Sequence, residues 1–107
     1  DNMQRVTAVL LEAGARTLET KLTARQIAER LGVSRKTIFG WVELDRVLGV
    51  PIVSTKKQGG GFFLPDVETE EGREAVKSCC RSLAKSAEMM QKTANLLLET
   101  LTEEGVE

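Results

Sequence analysis

Histidine and tyrosine are absent from this sequence of 107 residues. The lack of histidine removes the side chain most often used as a general base and as a metal ligand. Aromatic residues make up only 4% of the chain, which is too few for a platform that stacks nucleic-acid bases. No apolar run approaches the roughly 20 residues of a membrane-spanning helix, and no secretory signal pattern is present. We therefore expect a cytoplasmic protein that is not an enzyme and that needs no metal, cofactor or membrane.

Cysteine is nearly absent as well, since the chain has only the adjacent pair Cys79 and Cys80. Neighbouring side chains on a helix point in different directions, so these two thiols are not expected to bridge each other. Two thiols without histidine also make no credible zinc site. We expect reduced, partly buried thiols, with an interchain disulfide or a redox sensor as the alternatives. The first methionine is residue 3, which leaves open whether the chain is a fragment.

The composition is that of one globular domain, or of a small domain with an appendage, with 41% apolar and 29% charged residues. The net charge of −1 conceals an asymmetry. Residues 1–65 hold ten basic and six acidic side chains, a net charge of +4, whereas residues 66–107 hold five basic and ten acidic ones, a net charge of −5. Because phosphate attracts the first part and repels the second, the pattern favours nucleic-acid binding by the first.

Three short helices are predicted in the first half of the chain. The first covers residues 4–13, and residues 15–22 are either its extension or a loop. The second begins at the N-cap Thr23, with Gln26 at the third helical position, and ends at Gly32. The third begins at the N-cap Ser34 and runs from residue 35 to about 48. Helical spacing assigns these side chains to the core: Val6, Val9, Leu10, Ala13, Ile27, Ala28, Leu31, Ile38, Trp41, Val42 and Leu48.

Beyond Gly49 the apolar period changes from that of a helix to that of a strand. Residues 50–55 are rich in β-branched side chains, and residues 62–64 form a returning strand that Pro65 closes. The turn between them, residues 56–61 (KKQGGG), is basic and rich in glycine. The pattern therefore predicts a β-hairpin with a basic tip, followed by an acidic linker over residues 66–72.

A long helix is predicted over about residues 73–101. Its apolar positions alternate in spacings of four and three, as in the seam of a coiled coil, and the seam spans roughly 38 Å at 1.5 Å per residue. A second copy of the chain is the simplest partner for such a face, with packing on the preceding domain or a different protein as alternatives. The predicted dimerisation residues are Val76, Cys80, Leu83, Ala87, Met90, Ala94, Leu97 and Leu101.

The order of helix, tight Gly-Val turn, helix and basic hairpin is that of a winged helix-turn-helix. The predicted fold is thus mainly α with a small β-hairpin, followed by a long, coiled-coil-like helix. Residues 22–39 (LTARQIAERLGVSRKTIF) resemble the helix-turn-helix of bacterial DeoR-type and biotin-repressor-type regulators. Residues 49–54 (GVPIVS) and 59–65 (GGGFFLP) resemble their wing. The resemblance implies a DNA-binding domain over residues 1–65, and we assign residues 73–107 to dimerisation or interaction.

In such a domain the N-terminal end of the third helix enters the major groove, and the wing approaches phosphates or the minor groove. Arg35 or Lys36 would read guanine edges or hold phosphates, Phe39 would touch a thymine methyl group, and Gly40 would allow a close backbone approach. Asp45 stands where the resembled family favours leucine, so the end of this helix is expected to pack differently. The DNA-binding candidates are Thr23, Ser34, Arg35, Lys36, Thr37, Phe39, Gly40, Lys56, Lys57 and Gln58.

The sequence therefore predicts a bacterial or phage transcriptional regulator that binds double-stranded DNA sequence-specifically as a homodimer. Two-fold symmetry would require a palindromic or repeated site. One alternative is a protein-interaction adaptor or antirepressor that uses the last helix to bind a protein partner. Another is the DNA-binding module of a plasmid or phage replication, partition or excision system. A nucleotide-binding glycine loop is not expected, because the strand–loop–helix context and the Gly-Lys-Ser/Thr ending are missing.

Overall fold

The computed structural model describes residues 1–103, which form four α-helices and one antiparallel hairpin. Residues 104–107 of the predicted C-terminal segment lie outside this range. The elements, in chain order, are α1 (Arg5–Glu12), α2 (Ala24–Leu31), α3 (Arg35–Val47), β1 (Val53–Thr55), β2 (Gly61–Phe63) and α4 (Glu70–Glu103), with a 3₁₀ turn over Lys57–Gly59. This order confirms the predicted winged helix-turn-helix followed by a long helix.

Local capping fixes the helix-turn-helix. The Thr23 Oγ1 accepts from the backbone N–H of Gln26 at 3.1 Å, and the Gln26 Oε1 accepts from the backbone N–H of Thr23 at 2.8 Å. This reciprocal capping box satisfies two free donors at the start of α2. Gly32 ends α2 with a left-handed φ of 67°, and the Ser34 Oγ then caps α3. The turn therefore has the residues that its backbone requires.

The core lies between the three short helices and the hairpin. Its fully buried side chains include Leu10, Ile27, Ile38 and Val42, and the hairpin adds Phe62 and Phe63. Burial of each large apolar side chain favours folding by about 1.5–3 kcal/mol. A single contiguous core thus unites α1, α2, α3 and the wing.

Two predicted core residues are exposed, so the prediction was wrong for them. Ala13 lies beyond the end of α1, and Ala15, two residues further on, is the one that enters the core. Leu48 is 49% exposed, because it is the C-cap of α3 and the chain leaves the helix there. Trp41 is half-buried, and the Arg5 guanidinium lies 4.8 Å from the centre of its ring. Leu31 is half-buried as well.

Asp45 is the buried charged side chain of the winged domain. Its Oδ1 accepts from the backbone N–H of Gln4 at 2.6 Å, and its Oδ2 accepts from the backbone N–H and the hydroxyl of Thr7 at 3.1 and 2.7 Å. No side chain of its own caps the start of α1. Asp45 therefore supplies the anionic cap that the positive end of this helix favours, from a helix elsewhere in the fold.

The wing is joined to the segment before α2. In the hairpin, Val53 lies opposite Phe63 and Thr55 lies opposite Gly61. Leu22 then pairs with Phe62 on the other side of β2, with N–H···O distances of 3.0 and 2.7 Å. Residues 15–22 are thus a loop that ends in a third strand-like pairing, not an extension of α1.

The helix α4 begins three residues earlier than predicted because its first turn has a cap. The Thr69 Oγ1 accepts from the backbone N–H of Gly72 at 3.0 Å and donates to the Asp66 carbonyl oxygen at 2.8 Å. Gly72 is buried so closely against this turn that a Cβ atom there would clash with the Asp66 carbonyl. The segment between wing and helix therefore sets the direction in which α4 leaves the domain.

The two ends of α4 have different surroundings. At its start, Ala75 and Val76 are half-buried against the core, and Cys79 is only 8% exposed. From Arg81 to Thr102 every side chain is exposed. The distal part of α4 thus projects from the winged domain and gives the protein its long axis of 56 Å. Among residues 1–103, α4 included, no helix is both long and apolar enough to cross a bilayer.

Candidate nucleic-acid interface

The start of α3 presents the predicted DNA-reading side chains to solvent. Arg35, Lys36 and Gly40 are exposed, and Phe39 is 50% exposed. Their positions follow from helix geometry, because the burial of Ile38 turns its neighbours outward. The predicted outward face of α3 therefore exists as one surface.

The hydroxyl candidates already have structural roles. The Ser34 Oγ lies 3.2 Å from the backbone N–H of Thr37, from which it accepts, and 2.9 Å from the Thr37 Oγ1. Thr23 uses its Oγ1 as an acceptor for the cap of α2. A capping hydroxyl that accepts from the backbone still has a proton to donate, and a helix N-terminus favours an anion. These side chains can therefore cap their helices and donate to a phosphate at the same time.

The tip of the wing carries the other predicted contacts. Lys56, Lys57 and Gln58 are all exposed. Gln58 has a left-handed φ of 50°, and its carbonyl oxygen accepts from the Nζ of Lys21 at 3.0 Å. Lys21 was not predicted as part of this site, because it lies 37 positions from Gln58 in the chain. A single basic residue outside any motif gives no sign of such a contact. Lys21 adds a third cation beside the wing.

An aromatic contact joins the wing to the start of α3. The rings of Phe39 and Phe62 meet edge to face, with their centres 5.8 Å apart and their planes at 63°. Such pairs contribute about 0.5–1.5 kcal/mol beyond simple burial. Phe39 therefore has a packing role that the sequence did not predict, and it holds the outward face of α3 beside β2.

Most cations on this face are free of ion pairs. Among the described side chains, ion pairs join Arg25 to Glu29, Arg46 to Glu43, and Arg81 to Glu74. The exposed basic side chains at the start of α3 and the wing tip that take part in none of these ion pairs are Arg35, Lys36, Lys56 and Lys57.

Arg46, in contrast, serves the fold. Its Nε donates to the carbonyl oxygen of Ile52 at 3.0 Å, and its Nη2 donates to the Oγ of Ser54 at 3.2 Å. The same Nη2 lies 3.9 Å from the Sγ of Cys79. Arg46 therefore joins α3, the start of the wing and α4, and its charge is not part of the exposed surface at the start of α3 and the wing tip.

The predicted dimerisation residues begin at the domain and continue along α4. Val76 is half-buried against the winged domain, whereas Cys80 and all later members of the seam are exposed. Their spacing places them along one side of the helix. Dimerisation through this side remains a prediction.

The fold and this surface define a winged helix-turn-helix domain. In agreement, a family model described as "HTH domain" matches residues 15–62, a range that runs from Ala15 through α2 and α3 to Phe62. The match supports a helix-turn-helix DNA-binding domain and a role as a DNA-binding regulator. No curated protein and no solved structure matches the chain. The DeoR or biotin-repressor subtype and a bacterial origin remain predictions.

Proposed function

We propose that this protein is a transcriptional regulator that binds double-stranded DNA sequence-specifically as a homodimer. The observation that carries the proposal is the exposure of the basic side chains at the start of α3 and at the wing tip, two elements that the Phe39–Phe62 contact links. These elements combine four exposed cations with a helix end, the two features that such domains use to bind DNA.

In the proposed complex, α3 lies in the major groove with its N-terminal turns against the base edges. Arg35 and Lys36 hydrogen-bond to guanine or to flanking phosphates, and Phe39 contacts a thymine methyl group. The exposed backbone at Gly40 lets the helix approach closely. Base contacts of this kind supply specificity, each at about 1–3 kcal/mol.

The wing supplies affinity that does not depend on sequence. Lys56 and Lys57 neutralise phosphates beside the major groove or at the edge of the minor groove, and Gln58 extends the contact at the tip. Because each neutralised phosphate releases counterions, this part of the binding weakens steeply with salt. Residues 66–103 are net acidic, so we assign them no phosphate contacts.

The proposal is tested by anisotropy titrations of a selected preferred duplex and a random duplex at two salt concentrations. Arg35→Ala/Lys36→Ala should lower the preference for the selected duplex by at least about tenfold, as the loss of one base contact does. Lys56→Ala/Lys57→Ala should weaken binding to both duplexes alike. It should also reduce the slope of log K against log salt concentration by the amount expected for about two phosphate contacts.

A matched control removes the same charge from another surface. Lys85 and Lys92 are exposed on α4, so Lys85→Ala/Lys92→Ala should leave both affinities unchanged. If all three double variants bind like the parent, the proposed surface is wrong.

The alternative of a protein-interaction adaptor makes different predictions. An adaptor would bind neither duplex at low salt, and it would be monomeric until its partner is added. Light scattering of the protein alone therefore separates the adaptor from the homodimer before any DNA is used.

A further inference from the structure

The distal part of α4 exposes a broad uncharged face. Its charged side chains, Arg81, Lys85, Glu88, Lys92 and Glu99, follow one another at spacings of four, three, four and seven residues. This spacing confines them to one narrow stripe of the helix. The seam occupies the opposite side, where Leu83, Met90 and Leu97 are each about half exposed or more. An exposed apolar face of this length indicates a surface that packs against another protein surface.

The seam alternates regularly between large and small side chains. In heptad terms, the d positions hold Val76, Leu83, Met90 and Leu97, whereas the a positions are Cys80, Ala87, Ala94 and Leu101. Three of the four a positions are thus small, and every d position is large. This alternation limits how two such helices can pack.

A parallel pair in register would bring each side chain against its own copy. Ala87 would meet a second Ala87, and Met90 would meet a second Met90. Layers with two small side chains would alternate with layers of two large ones, so cavities would follow crowded layers. Both defects are costly in a close-packed interface.

An antiparallel pair removes this conflict, because each a position then meets a d position. We consider the register in which the numbers of two facing residues add up to 177. In this register Cys80 faces the partner's Leu97, Leu83 faces the partner's Ala94, and Ala87 faces the partner's Met90. Each of these layers combines one small and one large side chain. The helices can therefore remain evenly spaced along these three layers.

A groove on the winged domain lies where the end of the partner helix would pack in this register. It has a volume of about 230 Å³ and is lined on one side by Val50 and Ile52 and on the other by Val76, Cys80 and Leu83. The last three are seam positions, so the seam continues into the groove. In the antiparallel register the partner's Leu101 lies opposite Val76, at this groove. In a parallel pair that leucine would be roughly 38 Å away along the helix.

From these observations we infer that two copies pair antiparallel through α4, and that the last turns of each helix cover the groove beside the partner's winged domain. The inference rests on the homodimer of the proposed function and adds its orientation, its register and a second contact. The two winged domains then lie at opposite ends of the helix pair.

Disulfide trapping tests the register. Leu97→Cys is introduced together with Cys79→Ser, which removes the neighbouring thiol, and the protein is oxidised mildly with copper phenanthroline. We expect a covalent dimer whose tryptic peptides join Cys80 to the new cysteine. Cys79→Ser alone should give no covalent dimer, because two Cys80 residues would be about 26 Å apart along the axis, far beyond the roughly 7 Å that a disulfide spans between Cα atoms.

A control cysteine on the charged stripe distinguishes register from random collision. Glu99→Cys in the Cys79→Ser background is exposed on the other side of the same turn and should give no covalent dimer. If Leu97→Cys loses helical circular dichroism, Leu83→Cys/Ala94→Cys in a background with both native cysteines changed to serine tests another layer of the same register.

The outcomes separate this inference from the proposed function. Peptides that join Cys80 to a second Cys80, or the introduced cysteine to its own copy, would show a parallel pair and overturn the antiparallel register while leaving a homodimer. A monomer in sedimentation equilibrium would overturn the homodimer and the register together. Binding of the selected duplex, measured separately by anisotropy, reports on the winged domain in either case.

Discussion

The winged domain and the distal part of α4 are stabilised in different ways. The winged domain buries Leu10, Ile38 and Val42 completely, and its hairpin buries two phenylalanines. On α4, Met90 and Leu97 are 68% and 63% exposed in the single chain. Isolated helices gain little stability from propensity alone. The winged domain can therefore fold on its own core, whereas distal α4 has no such core in the single chain and would gain one by the proposed association.

Loss of Asp45 should have the largest effect, and only on the winged domain. Asp45→Ala leaves the two backbone donors and the hydroxyl that start α1 without their acceptor. We expect a loss of about 4 kcal/mol in the free energy of unfolding, because unsatisfied donors cost about 1–3 kcal/mol each and part of that is recovered by water. Urea unfolding followed by the fluorescence of Trp41, the single tryptophan, measures it.

Glu43 provides the matched control, since it is an exposed acid on the same helix. Glu43→Ala removes only one partly exposed ion pair and should change stability by less than about 1 kcal/mol. An equal loss in both variants would mean that Asp45 contributes through net charge and not through its hydrogen bonds.

A charge on the seam should affect only the association of α4. Leu83→Glu places a carboxylate in the proposed contact between two helices, and we expect the dimer Kd to rise at least about a hundredfold, which corresponds to about 3 kcal/mol. Sedimentation equilibrium measures the change, and the fluorescence of Trp41 should remain native. Lys85→Glu, which puts the same side chain on the charged stripe, should leave the mass unchanged. A dimer that tolerates Leu83→Glu would place the contact elsewhere.

The junction between the two regions should be sensitive to a single methyl group. In Gly72→Ala the new Cβ would meet the Asp66 carbonyl oxygen, so the capped turn must open. We expect a loss of about 2 kcal/mol in unfolding free energy, in the range of other overpacking substitutions. Urea unfolding monitored by circular dichroism in the far ultraviolet measures it. If Gly72→Ala unfolds like the parent, the turn does not fix the direction of α4.

How much of the structure could be predicted from the sequence depended on how far apart the interacting residues lie along the chain. The caps at Thr23 and Ser34 act within one helical turn, and the periodicity of α3 placed Arg35 and Lys36 on its outer face. The Gln4 donor to Asp45 lies 41 positions away in the chain, and Leu22 pairs with Phe62 across a similar separation. No local pattern encodes such contacts, so the cap of α1 and the third pairing of the wing were not predicted.

Gly40 offers the smallest and sharpest test, because stability and function should move in opposite directions there. It lies exposed within α3, and a Cβ would meet nothing within 4 Å. Gly40→Ala should therefore raise the unfolding free energy of the winged domain by about 1 kcal/mol, the difference in helix propensity. If the backbone at Gly40 approaches DNA closely, the same methyl group should weaken binding of the selected duplex about three- to tenfold, equivalent to about 1 kcal/mol. Urea unfolding and anisotropy on one preparation measure both. A more stable protein with unchanged affinity would remove Gly40 from the interface, while the cations of α3 and the wing would remain in it.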